Sequence, residues 1–137
     1  MLEYQVNAFS KPGGVGLSRA GSKEIAIPFD TAAQSGERLP NPAEVFLSAF
    51  AACVLKNVER YSQKLKIPYT KAEITVHGVR SDVPPAMERV EYKLRIFSKA
   101  EPRKVDLLYR NVKKFGTIYN TVAAACEVEG ALEHVHQ

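Results

Sequence analysis

The alternation of apolar and polar positions predicts strands at the two ends of this chain and a long helix between them. In residues 3–9, Tyr4, Val6 and Ala8 alternate with Glu3, Gln5 and Asn7, the period of a half-buried strand. Lys11-Pro12-Gly13-Gly14 is a turn, and residues 15–19 return as a second strand. A further turn, Ala20-Gly21-Ser22-Lys23, leads to a third strand over 24–29 with Ile25, Ile27 and Phe29 on one face. Residues 30–40 are small and polar and read as a loop, at a length where loops are often functional or mobile. Asn41 can then cap a helix that begins at Pro42, because proline needs no N–H there. That helix is expected over 42–64. Phe46, Ala49, Phe50, Cys53, Leu55, Val58 and Leu65 cover more than one narrow stripe, so it should be central and covered on more than one face.

The two clearest strands follow. Ala72, Ile74, Val76 and Gly78 alternate with Glu73, Thr75 and His77, and Val90, Tyr92, Leu94 and Ile96 alternate with Glu91, Lys93 and Arg95. Val83-Pro84-Pro85-Ala86 joins them and reads as too stiff for a tight hairpin, so the connection is expected to be an arm. A second helix over 102–115 places Val105, Leu108, Tyr109, Val112 and Phe115 at helical spacing, with Gly116 as its stop. Cys126, Val128 and Gly130 alternate with Glu127 and Glu129 in a last strand. The predicted class is α+β, in the order βββ-α-ββ-α-β, as a single domain over residues 1–137 without internal repeats.

Composition narrows the chemistry. The 137 residues are 45% hydrophobic and 25% charged, which suits a globular domain with a real core. The net charge of +4 is spread in small groups such as Lys64/Lys66, Arg103/Lys104 and Lys113/Lys114, a pattern of solvated faces that argues against nucleic-acid binding. Two distant cysteines do not make a disulfide framework. The N-terminal residues do not form a signal peptide, and no apolar run is long enough to span a membrane. A reducing cytoplasm is therefore the expected compartment. His134 and His136 share one strand face but have no further ligands nearby, so they are expected at the surface, as is His77. Gly13-Gly14-Val15-Gly16 lacks the Lys-Ser/Thr of a phosphate loop and reads as a hairpin turn. No metal and no cofactor are expected.

The candidate chemistry centres on Cys53. Small residues surround it (Ser48, Ala49, Ala51, Ala52), which lets another backbone come close. A thiol in such a place is either a small packed residue or a shielded nucleophile. Lys56, one turn on, could supply positive charge, whereas the distant N-terminus of the cysteine's own helix contributes little.

The phrase Asn41-Pro42-x-Glu44, the small-residue apolar stretch and Ala51-Ala52-Cys53, followed in order by the strand pair, the second helix and Tyr119-Asn120-Thr121, resembles the OsmC/Ohr family (osmotically inducible protein C and organic hydroperoxide resistance protein). The resemblance spans nearly the whole chain. It implies an intertwined homodimer whose sheets wrap the central helices. It also implies that Cys53 is the peroxidatic cysteine, whose thiolate attacks an organic hydroperoxide and becomes a sulfenic acid. An arginine should support that thiolate, and Arg19 and Arg38 are the candidates. The family's hydroperoxide-reducing members carry an acid directly after Asn-Pro. This chain has Ala43 there and Glu44 next, turned by about 100° on a helix, so Glu44 is a doubtful substitute and suits the helix's first turn better. Those members also resolve the sulfenic acid with a second cysteine, at a position that falls on Gly116 here. Cys126 lies ten residues later, as a packed strand residue or a displaced partner. An external thiol reductant is then expected. The competing expectation is a binding protein on the same fold, holding an apolar or coenzyme A-like molecule.

Overall fold

In the computed structural model, residues 1–34 and 36–137 are described, and they form six strands and three helices. The chain divides into two compact units, Met1–Phe46 and Leu47–Gln137.

The first unit is a three-stranded antiparallel sheet of β1 (Val6–Lys11), β2 (Val15–Ala20) and β3 (Ile27–Asp30). Gly13 and Gly14 adopt positive φ of 118° and 86°, which a tight turn between β1 and β2 asks of glycine. β1 and β3 begin three residues later than the alternation predicts. Ile25 is consequently exposed in the preceding turn rather than paired. The loop after β3 is organised by the buried Asp30. Its carboxylate accepts the Ala32 N–H at 2.8 Å and the Gly36 N–H at 2.8 Å, and these bonds hold its pKa below the ordinary 3.8.

α1 (Pro42–Leu65) starts in a capping box. The Glu44 N–H donates to Asn41 Oδ1 at 2.9 Å, and the Asn41 N–H donates to Glu44 Oε1 at 3.0 Å. It ends in a Schellman motif: Lys66 takes φ 55°, its N–H bonds to Gln63 O, and the Ile67 N–H bonds to Ser62 O. Within the chain, α1 buries one stripe, Phe50, Val54, Asn57, Val58, Tyr61 and Ser62. The cover expected on further faces is not supplied here: Phe46 is 40% exposed, and Ala49 and Ala52 are exposed too.

The second unit is built on a sheet in the order β4 (Lys71–Asp82), β5 (Pro85–Phe97), β6 (Glu127–Val135). β4 and β5 are antiparallel and pair through Asp82↔Pro85, so the chain reverses tightly over Val83-Pro84, joined by a cis peptide bond. The arm is thus a close hairpin, which the prolines permit instead of prevent. β6 runs parallel to β5. Parallel neighbours need a crossover, and two helices supply it, α2 (Pro102–Lys114) and α3 (Thr117–Ala125). The α+β class and the order of elements hold, with α3 added. Its Thr117, Ile118, Thr121 and Val122 are β-branched and weak helix formers. Packing holds it, with Val122 buried and Ile118 and Tyr119 against the core. The inner faces of β4, β5 and β6 meet α1, α2 and α3 in one cluster around Phe50, Val58, Leu94, Ile96 and Leu108. The outer face is charged, with Arg95 between Glu73 at 2.9 Å and Glu133 at 3.1 Å.

Candidate functional site

Cys53 lies on α1 one residue before the buried Val54, which leaves its thiol half-buried. What comes to it is the junction between α2 and α3. Phe115 closes α2, and Gly116 is the N-cap of α3 with φ −80°, a conformation open to any residue. Close approach is what calls for glycine there. A Cβ built on Gly116 would lie 3.2 Å from Cys53 Sγ, 3.3 Å from Asn57 Nδ2 and 2.9 Å from Tyr119 Cβ. Asn57, one turn after Cys53, is 3% exposed and donates from Nδ2 to Val112 O at 3.4 Å, tying the end of α2 to α1. Because glycine has no side chain, the first-turn N–H groups of α3 receive no oxygen from their own N-cap residue. The start of α3 lies beside Cys53.

Aromatic rings line the core next to this point. Phe50 stacks on Tyr119 with centroids 5.5 Å apart and meets Tyr92 at 5.7 Å, and Tyr92 meets Tyr119 edge-on at 6.1 Å. The Tyr92 and Tyr109 hydroxyls bond at 2.7 Å. Burial pushes both phenols above their ordinary pKa, so neither ionises near neutral pH. The Tyr92 ring lies over Gly130 of β6, where a Cβ would overlap it.

The other candidate residues are placed as follows. Glu44 completes the capping box. Arg19 donates to Glu24 O at 2.8 Å and Lys23 O at 3.4 Å, in the turn that follows its own strand. Arg38 is exposed in the loop after β3 and lines a small cavity with Gly13, Gly14, Asp30 and Gly36. All three lie in the first unit. Lys56 is exposed on α1. Cys126 is not in a strand: it caps the C-terminus of α3, its N–H bonded to Val122 O. Nine helical residues, about 13 Å of rise, thus separate Cys126 from the Gly116 end that touches Cys53. A disulfide needs Cα atoms within about 7 Å, so these two cysteines cannot join while α3 is intact. His77 is exposed. His134 is half-buried and not a fraying surface residue, because Nε2 meets Ser98 O at 2.8 Å and β6 stays paired to Val135. Among the described residues no cluster of His, Cys, Asp and Glu is arranged to hold a metal, and no helix is long and apolar enough to cross a membrane.

Two elements of this site escape the sequence patterns, Asn57 and the start of α3. The one available signal was an amide at helical spacing with Val54 and Tyr61, four residues after the cysteine and so on the same helix face.

Comparisons with known proteins agree with this fold. The model of the OsmC-like protein family matches residues 34–130. An OsmC-like protein from Mycoplasma pneumoniae has the same fold, with a TM-score of 0.87 at 18% identity, over 98% of this chain and 99% of that one. An organic hydroperoxide resistance protein from Elizabethkingia anophelis gives 0.75 at 14% identity, over 97% and 98%. The organic hydroperoxide resistance protein OhrB of Bacillus subtilis gives 0.64 at 18% identity, over 96% and 98%. A search of curated protein sequences finds no match.

Proposed function

This chain belongs to the OsmC-like protein family, and from that premise we propose that it reduces organic hydroperoxides through Cys53, as a one-cysteine enzyme. The observation that carries the reading is the approach of Gly116 to the thiol. The position to which the family resemblance assigns the resolving cysteine lies 3.2 Å from Cys53 Sγ at its Cβ, yet holds no sulfur. Organic hydroperoxide resistance proteins share this fold, which supports the substrate class.

In the first step the Cys53 thiolate attacks the distal oxygen of the hydroperoxide. The S–O bond forms and the O–O bond breaks. The alkoxide leaves with the electron pair and takes a proton to become the alcohol, while the sulfur, oxidised by two electrons, becomes a sulfenic acid. Arg19 or Arg38 is the proposed cationic support for the thiolate. With Gly116 in place of a cysteine and Cys126 at the far end of α3, resolution falls to an external thiol. That thiol attacks the sulfenic sulfur, water leaves, and a second thiol releases Cys53 as the free thiol with a disulfide as the other product. Both cysteines are free, which suits a reducing cytoplasm.

The active form is a homodimer in this proposal. Phe46 on α1 and Val6, Phe9 and Ile27 in the first unit are exposed and apolar, a surface that a second copy would cover. Light scattering should give twice the 15.2 kDa chain mass.

The purified protein is expected to consume cumene hydroperoxide in the presence of a dithiol, and Cys53→Ser to abolish this, with Cys126→Ser retaining it. Equal rates for the wild type and Cys53→Ser overturn the reading. A second reading, a binding protein for an apolar or coenzyme A-like molecule, is favoured by a cavity of about 260 Å³ in the first unit. Ala8, Ile27, Phe29 and Val45 are among its lining residues. Saturable binding of a fluorescent acyl probe without hydroperoxide consumption would select it.

A further inference from the structure

We propose that Asn57 is the hydrogen-bond donor for the oxygen that Cys53 acquires on oxidation. This rests on the hydroperoxide-reducing reading above and adds to it a group that acts on the oxidised state.

Cys53 Sγ and Asn57 Nδ2 come close to one point, where a Cβ on Gly116 would lie 3.2 and 3.3 Å from them. Spacing of i and i+4 places both side chains on the same face of α1. Asn57 is 97% buried, taken from its 3% exposure. Its amide nitrogen carries two hydrogens. Val112 O takes one, over a long 3.4 Å, outside the usual 2.7–3.2 Å range for N–H···O. A side chain kept solely for that tie would be expected to make it more closely. The second hydrogen is left for a partner on the Cys53 side.

In the reduced protein the neighbouring group is sulfur, a weak acceptor. After reaction with the hydroperoxide an oxygen bonded to Sγ on the Asn57 side comes within reach of Nδ2, and a buried N–H gains a strong acceptor. The bond withdraws charge from the sulfenic group, which slows its attack on a second hydroperoxide. That attack would add a second oxygen to the sulfur, release another alcohol and leave the irreversible sulfinic acid. A one-cysteine enzyme without a neighbouring resolving thiol is the kind that needs such protection, because its sulfenic acid must wait for an external thiol.

The test uses the full-length protein without reductant. After one equivalent of cumene hydroperoxide, Cys53 is mapped by peptide mass spectrometry with dimedone trapping. A second equivalent is then added and sulfinic acid at Cys53 is followed. In Asn57→Leu and in the isosteric Asn57→Asp, sulfinic acid should form roughly five- to tenfold faster than in the wild type, the factor that one such hydrogen bond supplies. For Asn57→Asp, the ratio to the wild type should return towards one at low pH, where the protonated carboxyl regains a donor, a reversal that simple loss of packing does not give. A further reading needs no substitution. The side-chain amide ¹⁵N–¹H signals of Asn57 should move when wild-type Cys53 becomes a sulfenic acid. Wild-type sulfinic rates in both variants, or amide signals that stay still while the sulfenic acid forms, overturn the inference and leave the hydroperoxide reading standing. Failure of wild-type Cys53 to gain any oxygen overturns both.

Discussion

The two units of this chain share the same alternation of apolar and polar residues and put it to different use. In Leu47–Gln137 the alternating residues of β5, Val90, Tyr92, Leu94 and Ile96, are all buried under helices. In Met1–Phe46 the six residues of β1 are all exposed, and Val6 and Phe9 are each 62% exposed. Alternation therefore reports which side of a strand seeks burial, without saying what covers it. Three short strands cannot close a core by themselves, and the apolar side of the first unit needs material from outside the unit. The proposed homodimer would provide it.

Leu94→Ala and Phe9→Ala put this contrast to its sharpest test. Leu94 is fully buried, so its truncation should cost about 2–5 kcal/mol, read as a lower urea midpoint at every protein concentration. Phe9→Ala should cost about 0.5 kcal/mol or less where single chains prevail, and should appear as weakened self-association at higher concentration. Equal losses for both variants in dilute solution would show that the first unit is buried by its own chain, and the contrast would be gone.

A smaller effect is expected inside the closed unit. Gly130→Ala sets a methyl group where the Tyr92 ring lies. Overpacking of this kind costs about 1–3 kcal/mol. Because Tyr92 packs on Phe50 and Tyr119, the tyrosine near-ultraviolet circular dichroism should change with it. An unchanged spectrum and midpoint would mean that the ring does not depend on that glycine.

The open unit should instead show itself through acid. Asp30 is held ionised by the Ala32 and Gly36 N–H groups, so its pKa is lower folded than unfolded. Its contribution is complete above the ordinary value of 3.8 and fades as pH falls through the lower folded value. The protection of the Gly36 amide, its exchange rate relative to the intrinsic rate at the same pH, should fall as pH drops below 3.8. In Asp30→Asn that protection should be low at all pH values and lose the step. A step that survives the substitution would assign the acid response to another group.

Much of the fold was legible because its causes are local. Asn41 and Glu44 sit three residues apart and cap α1 as their spacing requires. β4 and β5 declare themselves by period, and Cys53 stands in a phrase that points to its family. The roles of Arg19 and Arg38 as support for the thiolate stay with the proposal. What tertiary structure decided is everything next to the sulfur. The first six residues of α3 are poor helix formers, and they are held by Val122, Ile118 and Tyr119 packing on a core assembled elsewhere. Gly116 reads as a helix stop, yet it is the point where the start of α3 meets Cys53, 63 residues earlier by 116 − 53. Asn57 finds Val112 across 55 residues. Period and capping chemistry act over three or four positions. The register between distant elements follows only from filling one core without gaps, so the sequence by itself named the thiol, and packing chose its neighbours.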